Sequence, residues 1–142
     1  MLIFRVDPFP KFPIIFRQKL WEVTHPVGDA CKTLSQIPFL RFLNTAIYDE
    51  GLSQLSTNSS IDTLKLNSCG IGEKGVEIFS ITNRTVTSLH LIKNKIGTYG
   101  AVLLSQMESL CGLHLSQNQI RNKGAEAFEY SFNNLQILGL SL

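Results

Sequence analysis

One pattern recurs along most of this 142-residue chain and limits what the chain can fold into. Counted from each of four starting residues, apolar side chains fall at offsets 0, 3, 5 and 10, and a glycine falls at offset 14. The copies start at Ile37, Ile61, Val86 and Leu110, and a partial fifth copy starts at Leu135. A period of 24 or 25 residues predicts stacked units, because no such unit can bury its own apolar face alone.

Within each copy the pattern predicts a strand, a turn and a helix. Apolar residues at offsets 3 and 5, such as Leu64 and Leu66, alternate with residues that point the other way, as in a strand. Small polar residues at offset 8 suit a turn that leaves the strand. Three of the four residues at offset 12 are good helix N-caps, which predicts a helix start there. The four residues are Asp49, Glu73, Thr98 and Asn122, and Glu73 is the exception.

The recurring glycine is expected to serve a steric need. Glycine inside a helix costs about 1 kcal/mol relative to alanine. Its presence at Gly51, Gly75, Gly100 and Gly124 therefore predicts that each helix approaches its neighbour closely. One turn further along, at offset 18, Leu55, Phe79, Leu104 and Phe128 should face the core. The strands should then form one parallel sheet, with the helices outside it and a curved stack as the result.

The repeat resembles a known family. The runs LKLNSCGIGEKGVEIF, LHLIKNKIGTYGAVLL and LHLSQNQIRNKGAEAF are similar to leucine-rich repeats of the ribonuclease-inhibitor-like type. The resemblance covers residues 37–142 and implies an α/β horseshoe, with parallel strands on the concave side and helices on the convex side. It also implies a protein-binding scaffold that is not an enzyme and needs no cofactor. Repeats shorter than the usual 28 or 29 residues are similar to those of bacterial repeat proteins, including effectors delivered into host cells.

The two ends depart from the repeat. Residues 1–36 are rich in apolar aromatic side chains and are predicted to cap the first repeat, with helices over about 14–23 and 28–36. An aromatic peptide-binding or membrane-surface segment is the alternative there. The chain stops at Leu142, inside the strand of the fifth copy. This predicts either a longer protein whose remaining repeats are missing or self-association through the open strand edge.

Composition limits the compartment and the class of partner. A formal net charge of +2 is too small to indicate nucleic acid or an anionic membrane. No apolar run is long enough for a membrane helix. Arg5, Asp7 and Pro8 interrupt the N-terminal apolar residues, so no secretory signal peptide is predicted. The expected location is the cytoplasm, unless a specialised machine delivers the protein into a host cell, and the three cysteines fit free thiols.

The candidate binding residues are those that point away from the core on the strands, at offsets 2, 4 and 6. The central column reads Arg41, Lys65, His90, His114 and Gly139, and these offsets carry no acid. This predicts a concave site for a protein with an acidic surface, with Arg41 and Lys65 as anchors. The alternative is a solvated face whose charges only prevent aggregation. The predicted site comprises Phe39, Arg41, Lys65, Asn67, His90, Ile92, His114 and Ser116.

The sequence argues against dinucleotide binding, metal binding and covalent catalysis. Gly70-Ile71-Gly72-Glu73-Lys74-Gly75 matches a dinucleotide fingerprint, but Gly75 belongs to the repeat and no acid follows at the ribose-binding distance. His90 and His114 should be neighbours, yet no third ligand is predicted for a metal. No Ser, Cys or Thr is paired with a positioned base, so no covalent catalysis is predicted.

The leading hypothesis is a non-catalytic protein-binding module that uses its concave strands, as part of a secreted bacterial effector. The rival is a substrate-recognition fragment of a larger enzyme whose catalytic part would follow Leu142. Nucleic-acid binding is not predicted, because the basic column lacks aromatic stacking residues and basic density.

Overall fold

A computed structural model of the chain describes residues 47–131, 135 and 137–140, and of residues 137 and 138 it describes the backbone alone. Four helices alternate with four strands of three residues each. The helices are α1 (Tyr48–Leu55), α2 (Glu73–Thr82), α3 (Thr98–Ser105) and α4 (Asn122–Glu126). The strands are β1 (Thr63–Lys65), β2 (Ser88–His90), β3 (Gly112–His114) and β4 (Ile137–Gly139). The predicted cap over 1–36 and the first strand near Leu40 lie outside the described residues.

The strands form one parallel sheet in chain order, β1-β2-β3-β4. Leu64 pairs with Leu89, Leu89 with Leu113 and Leu113 with Leu138, so equivalent positions of the repeat stand side by side. Consecutive helices pack against one another in a second layer. A strand and a crossover helix per repeat are what a parallel sheet requires. The α/β repeat solenoid predicted from the sequence is therefore confirmed.

The core lies between the two layers. Leu64, Leu89 and Leu113 are fully buried in register, and they form the common spine that the spacing predicts. The inward residues at offsets 5 and 10 continue the core, and at offset 18 Phe79 and Leu104 are fully buried, whereas Phe128 is only partly covered. Burying one such side chain contributes about 1.5–3 kcal/mol. The apolar repeat thus accounts for the stacking of the units.

The helix starts differ from the prediction in a way that links the repeats. Glu73, Thr98 and Asn122 are the first helical residues, not N-caps, and no side chain caps its own helix. Instead the carboxylate of one repeat caps the helix of the next. Asp49 Oδ1 accepts a hydrogen bond of 2.5 Å from the Gly72 N–H. Glu73 Oε1 accepts from the N–H groups of Tyr99 at 3.1 Å and Gly100 at 3.4 Å.

The repeated glycine permits close helix packing, as predicted, but not equally in every repeat. A Cβ at Gly75 would lie 2.8 Å from the Cα of Asp49, and one at Gly124 would lie 3.2 Å from the Cα of Thr98. At Gly100 the neighbouring backbone is farther away, with the Cα of Glu73 at 3.9 Å, and the closest atom is a methyl of Ile96 at 2.8 Å. The steric need at Gly75 therefore comes from the backbone of the neighbouring helix, which cannot move aside easily.

Asparagines that are buried or half-buried form two ladders between repeats. Asn94 Oδ1 accepts from the N–H groups of Cys69 (3.0 Å) and Ile71 (3.1 Å), while its Nδ2 donates to Leu66 O (2.8 Å) and Leu91 O (2.9 Å). Asn118 repeats this arrangement one unit later. The predicted turn role of offset 8 is thus confirmed, but it spans two repeats. The residue before each, Lys93 or Gln117, has a φ of +58° that turns the chain inward.

The second ladder lies where the chain passes from a helix to the next strand. Asn83 Nδ2 donates to Ser56 O and Asn58 O, and Asn83 Oδ1 accepts from Val86 N–H at 3.0 Å. Asn58 Oδ1 accepts from Ile61 N–H at 3.1 Å in the same way. Both residues begin glycosylation sequons, but both are buried. The nitrogen that would carry a glycan on Asn83 is thus engaged inside the fold.

Candidate functional site

The side chains on the open side of the sheet form what we call the strand face. It comprises Thr63, Lys65 and Asn67, then Ser88, His90 and Ile92, then Gly112, His114 and Ser116, and finally Gly139. In β1 and β2 the middle leucine is buried and its two neighbours are half-exposed, because successive side chains of a strand point to opposite sides. The face is therefore a direct consequence of the buried spine.

Parallel register places the central residues of the strand face in one column. Lys65 pairs with His90, His90 with His114, and His114 with Gly139. The imidazole rings of His90 and His114 stack, with centroids 4.3 Å apart and planes 19° from parallel. The predicted proximity of the two histidines is confirmed. Phe39 and Arg41, the first members of the predicted site, lie outside the described residues.

The environment of the column opposes positive charge on its central ring. Burial lowers the pKa of His90 below 6.5, and the nearby charges of His114 and Lys65 lower it further. Desolvation disfavours a charged imidazole, and like charges disfavour it as well. At neutral pH His90 is therefore mainly uncharged, and the permanent charge of the described column is that of Lys65.

The flanking residues of the predicted site also hold the sheet together. Asn67 Oδ1 accepts a hydrogen bond of 2.9 Å from the N–H of Ile92 on the next repeat. The hydroxyl of Ser116 donates to the carbonyl of Gly139 at 3.3 Å. Both side chains are half-buried and extend the sheet beyond its three-residue strands. They border the column, so a ligand of the strand face would meet them at its rim.

Ser88 lies on the strand face but was not part of the predicted site. Its Oγ lies 3.4 Å from Nε2 of His90, so a hydroxyl stands beside an imidazole. The signal was present in the sequence, since Ser88 is at offset 2 of its strand and two residues before His90. The contact is long, and no carboxylate hydrogen-bonds to either imidazole among the described residues. The pair therefore lacks the third group that orients a catalytic base.

Residues 47–131 also show how the residues of the other candidate sites are used. In that segment no three His, Cys, Asp or Glu side chains come together in a way that could hold a metal ion. In the glycine-rich run, Gly70 has a φ of +72° and lies under the ring of Tyr48. The Gly72 N–H, which a phosphate would need, already binds the carboxylate of Asp49. None of the described helices is long and apolar enough to cross a bilayer.

Comparison with known proteins decides the family. A model described as "Leucine Rich repeat" matches residues 57–80, 82–105 and 112–128, which are the three consecutive units of the described fold. This chain is a leucine-rich repeat protein. No curated protein matches its sequence. The resemblance to bacterial effector repeats stays a prediction.

Solved structures show where this leucine-rich repeat protein has similar folds. The tropomodulin C-terminal domain of Caenorhabditis elegans is 13% identical, with a TM-score of 0.61, and the match covers 80% of this chain and 82% of that chain. A structure described as leiomodin-1 actin-binding site 2 is 18% identical, with a TM-score of 0.51, and the match covers 84% and 70%. At these identities the likeness is one of fold.

Proposed function

We propose that this leucine-rich repeat protein is a non-catalytic module that binds a protein through its strand face, and that the partner presents carboxylates there. Leucine-rich repeat domains generally mediate protein binding, and one of the similar structures is described as an actin-binding site. The observation that supports the strand face is its charge. Lys65, His90 and His114 stand in one column, and no acid occupies any described position of the face.

The position of the acids supports the same site. Glu50, Glu77, Glu126 and Glu129 are exposed on the helical layer, away from the column. Asp49 and Glu73 are engaged in capping the next helix. A carboxylate that approaches the strand face therefore meets positive charge and hydrogen-bond donors, and none of the described positions of the face carries an acid. Complementary charge of this kind favours partner choice and the rate of association.

The competing interpretation is a solvated face whose charges only keep strands from aggregating. The two interpretations differ in what removal of the column does. In the first, the K65A, H90A and H114A triple variant loses its partner while it stays folded. In the second, the triple variant binds whatever the wild type binds with the same affinity. The half-exposure of the three side chains means that the substitutions spare the core.

The experiment is an affinity capture with purified wild-type protein, the triple variant and a matched control. The control, K74Q with K95Q and K123Q, also removes positive charges, but at exposed positions outside the strand face. We expect partners that the wild type and the control retain and the triple variant loses. Circular dichroism of all three proteins verifies folding. Equal capture by the triple variant would contradict the use of the strand face.

Actin is one defined protein to include in this test. The leiomodin-1 structure is described as an actin-binding site, and that property belongs to leiomodin-1. Co-sedimentation of the leucine-rich repeat protein with actin filaments, compared between the wild type and the triple variant, shows whether actin is a partner here. The effector role, the cytoplasmic location and self-association through a strand edge stay predictions beside this proposal.

A further inference from the structure

Among the described residues, the strand neighbours of the histidine pair carry no negative charge. On β1 the neighbour of His90 is Lys65, and on β3 it is His114. Beyond His114, Gly139 of β4 has no side chain, and a Cβ there would lie 2.8 Å from Nδ1 of His114. The described side chain that hydrogen-bonds to His90 is the neutral hydroxyl of Ser88. No described residue of the strand face offers a carboxylate to either ring.

Stacking makes a full charge on both rings unfavourable. With centroids 4.3 Å apart, two imidazolium ions would face one another next to the ammonium of Lys65. A carboxylate placed over the column reverses this balance, because an opposite charge within about 4–6 Å favours the protonated form of a histidine. The free face therefore resists a proton that the occupied face would accept.

We propose that binding of a carboxylate-bearing segment at the strand face is coupled to proton uptake by the His90–His114 pair, so that the face binds acidic partners more tightly as the pH falls below neutral. The coupling rests on the proposed function, since it concerns the same site. The proton comes from solvent and is held on an imidazole nitrogen, and no bond of the partner is broken.

The direction follows from linkage. A ligand that raises the pKa of a histidine binds more tightly to the protonated protein, so its affinity rises as the pH falls through the interval between the bound and free pKa values. Each unit of pKa difference corresponds to about a tenfold gain in affinity. Below that interval the gain is complete, and near pH 4.3 protonation of glutamate side chains on the ligand weakens binding again.

The test uses hexaglutamate as the probe and hexaglutamine as its uncharged control. Backbone amide shifts of the intact ¹⁵N-labelled protein are recorded during peptide titration at pH 7.5 and pH 5.5, at one ionic strength. Three variants are compared with the wild type: K65Q, H114Q and the H90Q/H114Q pair. The shifts report both where the peptide binds and how tightly, and the amide spectrum itself verifies that each variant is folded.

We expect shifts on the strand-face amides and an affinity that is roughly tenfold higher at pH 5.5 than at pH 7.5. K65Q should weaken binding at both pH values, because lysine keeps its charge over this range. H90Q/H114Q should abolish the pH dependence, and H114Q should reduce it.

Each contrary result has a distinct meaning. Strand-face binding with equal affinity at both pH values overturns the proton coupling and leaves the proposed function standing. A pH dependence that survives in H90Q/H114Q also overturns the coupling. Absence of strand-face shifts at both pH values, or equal shifts with hexaglutamine, overturns the carboxylate site and the coupling with it.

Discussion

The first and the third described repeat interfaces are held together by different polar groups on the same apolar spine. Around α1 and α2, carboxylates of Asp49 and Glu73 cap the following helices, and Asn58 and Asn83 bind the backbone where helices end. In the later repeats Thr98 replaces the acid and Met107 follows the helix. At the strand exits, Asn94 bonds across the same interface as Glu73, and Asn118 bonds across the next one.

This difference shows which part of the repeat is required and which can vary. The leucines must recur, because each unit covers the apolar face of the next. The polar groups need only satisfy backbone N–H and C=O groups wherever the helices and strands leave them unpaired. A carboxylate at the helix start and an asparagine at the strand exit can therefore act together in one repeat, as at Gly72 and Ile71, or separately in another.

Removal of the Asn94 side chain should have the largest effect. N94A removes the side-chain acceptor of the Cys69 and Ile71 N–H groups and the side-chain donor to the Leu66 carbonyl. An unsatisfied buried group costs about 1–3 kcal/mol, so we expect a loss of about 3 kcal/mol in the free energy of unfolding. Urea denaturation measures it. N118A, at a more exposed asparagine, should cost about half as much, and equal losses would contradict the comparison.

Alanine substitutions at two of the repeated glycines should also differ in their effect on stability. G75A brings a Cβ to within 2.8 Å of the Asp49 backbone, so we expect a loss of about 2 kcal/mol from the forced shift of a helix. In G100A the nearest atom belongs to the Ile96 side chain, and the gain in helix propensity of about 1 kcal/mol offsets the crowding. Thermal unfolding of both variants tests this. A G100A variant as unstable as G75A would show that backbone approach is not what distinguishes the two sites.

The carboxylate cap of Glu73 should contribute less to the free energy of unfolding than the groups above. E73A removes the acceptor for the N–H groups of Tyr99 and Gly100 at the start of α3, and loss of a cap costs about 1 kcal/mol. T98A, at the equivalent position one repeat later, should change the free energy of unfolding by a few tenths of that. Chemical denaturation of the two variants provides the measurement. A larger effect for T98A would remove the distinction between the interfaces.

The smallest effect on stability should come from the titration of His90. Its pKa is lowered in the folded chain by burial and by its charged neighbours, so the unfolded chain binds more protons near pH 6. Stability therefore falls as the pH decreases from 7.5 through 6.5 toward the folded pKa. We expect a modest decrease in Tm between pH 7.5 and pH 5.5 that is smaller in H90Q. An unchanged pH dependence in H90Q would contradict this assignment.

The sequence predicted what the apolar spacing controls. The positions of Leu64, Leu89 and Leu113, the helix that follows each turn and the His90–His114 neighbourhood all follow from a fixed period. The partners of the polar side chains could not be read in this way. Asp49 looks like a cap for its own helix and Asn83 like the start of a sequon, yet each bonds to a repeat more than 20 residues away.

The sequence predicted the candidate site to a similar extent. Alternation along the strands placed Lys65, His90 and His114 in one column without knowledge of the structure. The stacking of the rings and the approach of Ser88 to His90 depend on side-chain conformations, which no spacing rule specifies.

The central claim is that parallel register puts the two histidines of the strand face side by side above a continuous leucine spine. A ¹³C-edited NOESY spectrum of the intact protein tests it directly. The account predicts cross-peaks between the imidazole protons of His90 and His114, together with contacts among the methyl groups of Leu64, Leu89 and Leu113. Absence of the ring–ring cross-peaks, with the leucine methyls in contact in another register, would contradict the stacked arrangement and the binding face built on it.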